Sequence, residues 1–200
     1  MVGDCNVFLL AGFDTTTTSV HSMIYNLGLR PDLQTKLREE IRSLKLNEVD
    51  TTLETLDKGV YLEKIVRETI RVHPPVALVF NREIMTDFKL GPYNIRKGDG
   101  INFMIAPILW DQDIFESGLE FNVETINEAN KRNWLPFSLG KRACLGQLMS
   151  QMELKVFASY IIDNFELKTL TDPKDVKFTI SLTMKLSPCE VAFHPISQNK

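Results

Sequence analysis

Residues 136–146, PFSLGKRACLG, deliver a single cysteine, Cys144, to the start of an apolar helical stretch, and no other segment constrains the chain as much. The thiolate is the metal-binding form of cysteine, and a helix N-terminus favours it through unbonded backbone N–H groups and the helix dipole. Gly140 and Gly146 permit a tight turn and close approach to a flat surface, and Arg142 adds a fixed positive charge two residues before the cysteine. The loop alone allows two readings: an activated cysteine, or a glycine-rich turn holding a buried, inert one.

The apolar periodicity predicts a mainly α fold with small antiparallel β-sheets (α+β). A helix is expected over residues 1–29, bounded by Arg30-Pro31. Its middle, residues 11–18 (AGFDTTTT), combines a glycine with β-branched residues, which suits a strand, a loop or a loosened helix in which the Thr15 hydroxyl bonds a carbonyl near Ala11. A second helix opens at Pro31, with Leu33, Leu37, Ile41 and Leu44 inward and Lys36, Arg38, Glu39 and Glu40 toward water. Residues 45–56 read as a loop. A third helix, 58–71, buries Leu62, Ile65, Val66 and Ile70 and is stopped by His73-Pro74-Pro75. Alternating runs over 76–103 predict a small antiparallel sheet, 106–134 reads as irregular, 145–164 as a helix, and 165–195 as a terminal hairpin. In the 145–164 helix, Leu148, Met152, Val156, Ile161 and Ile162 offer an apolar face for packing or for a flat cofactor.

Composition narrows the function classes. A 44% hydrophobic content over 200 residues supports one domain core with no internal linker, and a net charge of -3 exerts no overall pull on nucleic acid. Cys5, Cys144 and Cys189 form no CxxC pair, which suits a reducing compartment, and Cys5 and Cys189 are expected as core fillers. The apolar run 7–13 is far shorter than the roughly 18 residues of a spanning helix.

Phe137, Gly140, Arg142, Cys144 and Gly146 together resemble the cysteine-ligand loop of the cytochrome P-450 family, the haem-thiolate monooxygenases. Three further stretches resemble that family in the same order: residues 11–16 (AGFDTT), residues 68–75 (ETIRVHPP) and Arg82. The resemblance covers all 200 residues but only the C-terminal half of the family pattern. It implies haem b (iron protoporphyrin IX) with the Cys144 thiolate as axial ligand, pushing electron density toward the iron to favour O–O cleavage. It further implies that Phe137 shields the thiolate, that Arg142 and Arg82 bind the haem propionates, and that Gly12, Asp14 and Thr15 lie on the oxygen-binding face. There Asp14 and Thr15 would deliver protons. Glu68 and Arg71, three apart on one helix face, are implied to form a buried pair that helps fix the cysteine loop. Residues 76–80 and 181–184 would face the substrate.

The chain departs from the family pattern at Thr125, where an arginine that completes a Glu–Arg–Arg network is expected; either Lys131 or Arg132 replaces that charge, or the network is weakened. The implied function is a monooxygenase acting on a small, apolar organic molecule. Its electrons would come from NADPH, indirectly, through a flavoprotein reductase or a ferredoxin docked near Lys131, Arg132 and Lys141. Membrane contact would come only through an N-terminal region that this stretch lacks, at the cytosolic face of the endoplasmic reticulum for a eukaryotic full-length protein. The alternative is a truncated, catalytically inactive haem-binding remnant. A cysteine nucleophile is a further reading, but it needs a nearby base, and His21, His73 and His194 stand in no recognisable context for one.

Overall fold

The computed structural model describes residues 2–48, 50–181 and 183–197, and its longest element, α1 (Val2–Leu29), runs unbroken through the AGFDTTTT stretch. Met1, at the start of the expected helix, and Leu182, within the expected substrate-facing turn, lie outside the described residues. The helix continues through its β-branched run with hydroxyls turned back onto its own carbonyls, which satisfies them without breaking the helix: Thr15 Oγ1 donates to Ala11 O at 2.7 Å, Thr18 Oγ1 to Asp14 O at 2.8 Å and Ser19 Oγ to Thr15 O at 3.1 Å. Its second half buries Met23 and Leu27, whereas Val7, Phe8, Leu9, Leu10 and Phe13 in the first half are between 58% and 72% exposed.

The helix α2 (Pro31–Leu44) buries Leu33, Leu37 and Ile41, as its period requires. Two of the charged residues expected in water are instead bonded inside the fold. The Arg38 guanidinium donates to the carbonyls of Ile162 and Phe165, and Glu40 accepts from the backbone N–H groups of Tyr61 and Leu62, both at 2.8 Å. Tyr61 and Leu62 lie in the first turn of α4 (Val60–Val72), whose own N-cap is Gly59, so Glu40 supplies the cap that the local sequence lacks. A one-turn helix, α3 (Leu53–Leu56), occupies part of the expected 45–56 loop; the Thr52 hydroxyl caps it by accepting from Thr55 N–H.

The strand region forms two ribbons rather than one sheet. β1 (Leu78–Glu83) pairs antiparallel with β4 (Gly100–Met104), and β2 (Phe88–Leu90) pairs with β3 (Tyr93–Ile95) across a tight turn where Gly91 takes φ 56°. A helix, α5 (Ile105–Trp110), follows within the stretch read as irregular. The helix α6 (Gln147–Asn164) passes directly into β5 (Phe165–Thr169), which pairs with β8 (Val191–Pro195). A second ribbon, β6 (Phe178–Ile180) with β7 (Met184–Leu186), is nested between β5 and β8, so the tail is a hairpin inside a longer pairing.

One core joins these parts, built on Leu27, Leu37, Ile41, Ile65, Leu109, Leu154, Ala158, Ile162 and Leu167. Gly28 is required where α1 crosses β5, because a Cβ there would sit 2.4 Å from Thr169 Oγ1. The buried side of α6 is Leu154, Ala158 and Ile162, with Lys155 bonded to Asp57 and Glu63 at its edge. Leu148 and Val156, expected on the apolar face, are exposed, as are Leu145, Met149 and Phe157. Among the described residues no helix is long and apolar enough to cross a membrane.

Candidate functional site

Cys144 is set by a loop with two residues in the left-handed region, Ser138 at φ 61° and Gly140 at φ 73°. Glycine adopts that conformation freely, whereas serine does so at a cost, of the kind often found at functional sites. The Cys144 N–H donates to Phe137 O at 2.9 Å, closing the loop on itself. The cysteine is exposed and stands two residues before Gly146, the N-cap of α6. It is therefore not the buried, inert cysteine that the loop alone also allowed. Trp134, two residues ahead of the loop, fastens the entry: its Nε1 donates to Arg67 O on α4, its ring meets Phe137 edge-on, and the Arg67 guanidinium lies over it.

A cavity of about 280 Å³ opens between this loop and α1. Phe137, Ser138, Arg142 and Cys144 line one side, and Thr15, Thr16 and Ser19 line the other. Ile70, Val76, Val79 and Leu154 supply apolar walls, with Arg82 from β1 at the same cavity. Of the residues proposed from sequence, the structure brings together Thr15, Arg82, Phe137, Arg142 and Cys144. Gly12 and Gly146 are exposed and do not line the cavity, and a Cβ at Gly12 would meet open space. Asp14 does not line it either. Its carboxylate accepts from Lys185 Nζ at 2.5 Å and Thr183 Oγ1 at 2.6 Å, bonds that hold its pKa below the usual carboxylate range.

Glu68 and Arg71 form a fully buried, bidentate pair with both N···O distances at 2.8 Å. The rest of the Arg71 guanidinium donates to the carbonyls of Leu109, Gly118 and Glu120. Glu68 accepts a further bond from the backbone N–H of Asn122 at 2.8 Å. The pair thus gathers residues 109–122 rather than gripping the cysteine loop itself. No third cation joins it among the described residues: Lys131 bonds Glu128 at the surface and Arg132 is exposed. Thr125 is buried, its hydroxyl paired with that of Ser117, and the neutral Asn122 N–H is the further donor to Glu68. Burial raises the Glu68 pKa, with Arg71 and the Asn122 N–H acting against it.

His73 closes α4 and is buried, its Nδ1 accepting from Asn26 Nδ2 at 2.9 Å. Burial, with His21 and Arg71 nearby, lowers its pKa from 6.5 to about 4. The unfolded chain therefore binds a proton that the folded one refuses between these limits, and stability falls as pH drops from 6.5 to about 4. The loss expected from this group is about 3 kcal/mol. Chemical denaturation at several pH values should show a shallower acid slope in His73→Gln than in the parent; equal slopes would contradict the assignment.

None of the three histidines lines the cavity with Cys144. His21 Nε2 lies 3.1 Å from Cys189 Sγ, and His194 belongs to β8, so a histidine base for Cys144 has no support. Cys5 is exposed rather than in the core, and Cys189 is half-buried against His21.

A family model described as Cytochrome P450 matches residues 2–193. "Cytochrome P450 4c21" of Blattella germanica is 29% identical over 185 residues, covering 90% of this chain and 37% of that protein. "Putative cytochrome P450 CYP13A1" of Caenorhabditis elegans is 33% identical over 176 residues, covering 84% of this chain and 34% of that protein. A crystal structure of a cytochrome P450 (CYP102L1) superposes with a TM-score of 0.84 at 23% identity, over 94% of this chain and 44% of that one. The chain thus spans little more than a third of the length of these curated relatives.

Proposed function

The chain belongs to the cytochrome P450 family, and on that premise we propose that it forms the thiolate side and one wall of the haem site in a monooxygenase that inserts one oxygen atom of O2 into an apolar organic substrate. The single observation that supports this reading is the convergence of Cys144, Arg142, Arg82 and the Thr15 face of α1 on one apolar-walled cavity. These residues fit a flat, dianionic metal macrocycle: one soft thiol donor, two guanidinium groups for carboxylate arms, and Ile70, Val76, Val79 and Leu154 for the ring. Bound haem would supply the oxygen-activating redox chemistry.

The rest is the work of this chain's side chains. Cys144 is the ligand, with its backbone fixed on Phe137 O two residues before the N-cap of α6. Phe137 limits water around the sulfur, and Arg142 and Arg82 orient the macrocycle. Thr15 holds its hydroxyl on the opposite wall, where it can pass a proton. Electrons would arrive from a reductase or ferredoxin, with Arg132 and Lys141 exposed beside the loop for an acidic partner. Apolar side chains of α1 (Val7, Phe8, Leu9, Leu10, Phe13) and α6 (Leu148, Met149, Val156, Phe157) stand exposed. The alternative, a catalytically inactive haem-binding remnant, rests on the part of the family pattern outside this stretch and on Thr125, where the neutral Asn122 N–H, and no arginine, is the further donor to Glu68.

Titration of the chain with haemin tests the reading. One haem is expected per chain, and Arg82→Ala together with Arg142→Ala should weaken binding by roughly tenfold or more, since a hydrogen bond to a charged group contributes about 1.5–3 kcal/mol. Unchanged affinity in the double variant would contradict the proposed orientation.

A further inference from the structure

Asp14 sits beside Thr15 yet spends both carboxylate oxygens on the C-terminal ribbon: Oδ1 accepts from Lys185 Nζ and Oδ2 from Thr183 Oγ1. Phe178 of that ribbon also meets the rings of His73 and Trp110. Its strands are three residues long, all of β6 is exposed, and a two-stranded ribbon of this size is marginal alone. Its docked side is Thr183, Met184 and Leu186, each at most 7% exposed. Met184 N–H donates to Pro75 O at 2.8 Å, and Pro75, like Thr15, lines the cavity. The ribbon is thus pinned at two points, one through the backbone bond to Pro75, which lines the cavity, and one through Asp14, which does not.

We propose that Asp14 is the anchor of this ribbon, and that Thr183 and Lys185 are positioning residues that hold β7 against α1, beside the cavity wall at Pro75, by bonding the Asp14 carboxylate. Asp14 is then tied to the ribbon, and Thr15 alone of the pair lines the cavity. The proposal changes the role expected for Asp14 from resemblance. It rests on no bound haem, so it stands or falls separately from the monooxygenase reading.

Hydrogen exchange of the chain itself tests it, comparing the parent with Asp14→Asn, Lys185→Met and the charge-swapped pair Asp14→Lys with Lys185→Asp. Either single change should speed exchange across the β6–β7 ribbon, Met184 N–H included, by about tenfold or more, while β5–β8 exchange stays at the parent rate. The swapped pair should recover part of the protection, which an Asp14 acting independently of Lys185 would not give. Unchanged ribbon exchange in both single variants overturns the proposal. So does faster exchange spread equally over β5–β8, or no recovery in the swapped pair.

Discussion

Replacing Arg71 by leucine is expected to lower the stability of the chain by about 3–5 kcal/mol, the cost of breaking a buried ion pair from one side. The guanidinium is fully buried and serves Glu68 and three backbone carbonyls from residues 109–120. Its removal strands a carboxylate that burial already disfavours and takes a donor from each of three carbonyls. Glu68→Gln keeps an acceptor for the Asn122 N–H and should cost less than Arg71→Leu. The pair is not worth its full Coulomb energy, because desolvation offsets much of that; its effect lies in what one partner becomes without the other. Chemical denaturation monitored by circular dichroism would rank the two variants, and equal, small losses below about 1 kcal/mol would place the pair among ordinary surface contacts.

The second large effect is chemical. Cys144→Ser is expected to leave the fold intact, since Cys144 is exposed and serine retains the backbone N–H that bonds Phe137 O. Haem affinity should nevertheless fall by more than the roughly 10–100-fold that changes in the outer shell of a metal site cost, and thiolate-type absorption should disappear. Parent and variant melting together but differing in haem binding would separate ligation from stability. A variant that binds haem as tightly as the parent would show that Cys144 is not the ligand.

Much of the fold was legible in the sequence because helical period and proline breaks act locally: Arg30-Pro31 and His73-Pro74-Pro75 do end α1 and α4. The loop around Cys144 was legible for the same reason, its glycines and cysteine being close in sequence. What escaped the reading depends on partners far along the chain. Arg38, Glu40 and Lys155 look like surface charges until the carbonyls, N–H groups and carboxylates that they reach are in place. Asn122 supplies Glu68 through a backbone N–H that any residue except proline carries, so no side chain announces it. Asp14 was read with Thr15 because they are adjacent, but successive residues on a helix point about 100° apart, and Asp14 faces β7 instead. Trp134 is the residue that sequence could have offered: a tryptophan just ahead of the glycine-rich loop, with an N–H that needs a partner. The exposure of Val7 to Leu10 and of Leu148 had no local signal, since apolar residues mark a face without saying what covers it.

The central claim is that Cys144 presents a thiolate to haem in the cavity opposite Thr15. The absorption spectrum of the haem-loaded chain, reduced and exposed to carbon monoxide, tests it most directly. The account predicts a thiolate-type Soret band that Cys144→Ser abolishes; a band typical of imidazole-ligated or unligated haem in the parent chain would contradict it.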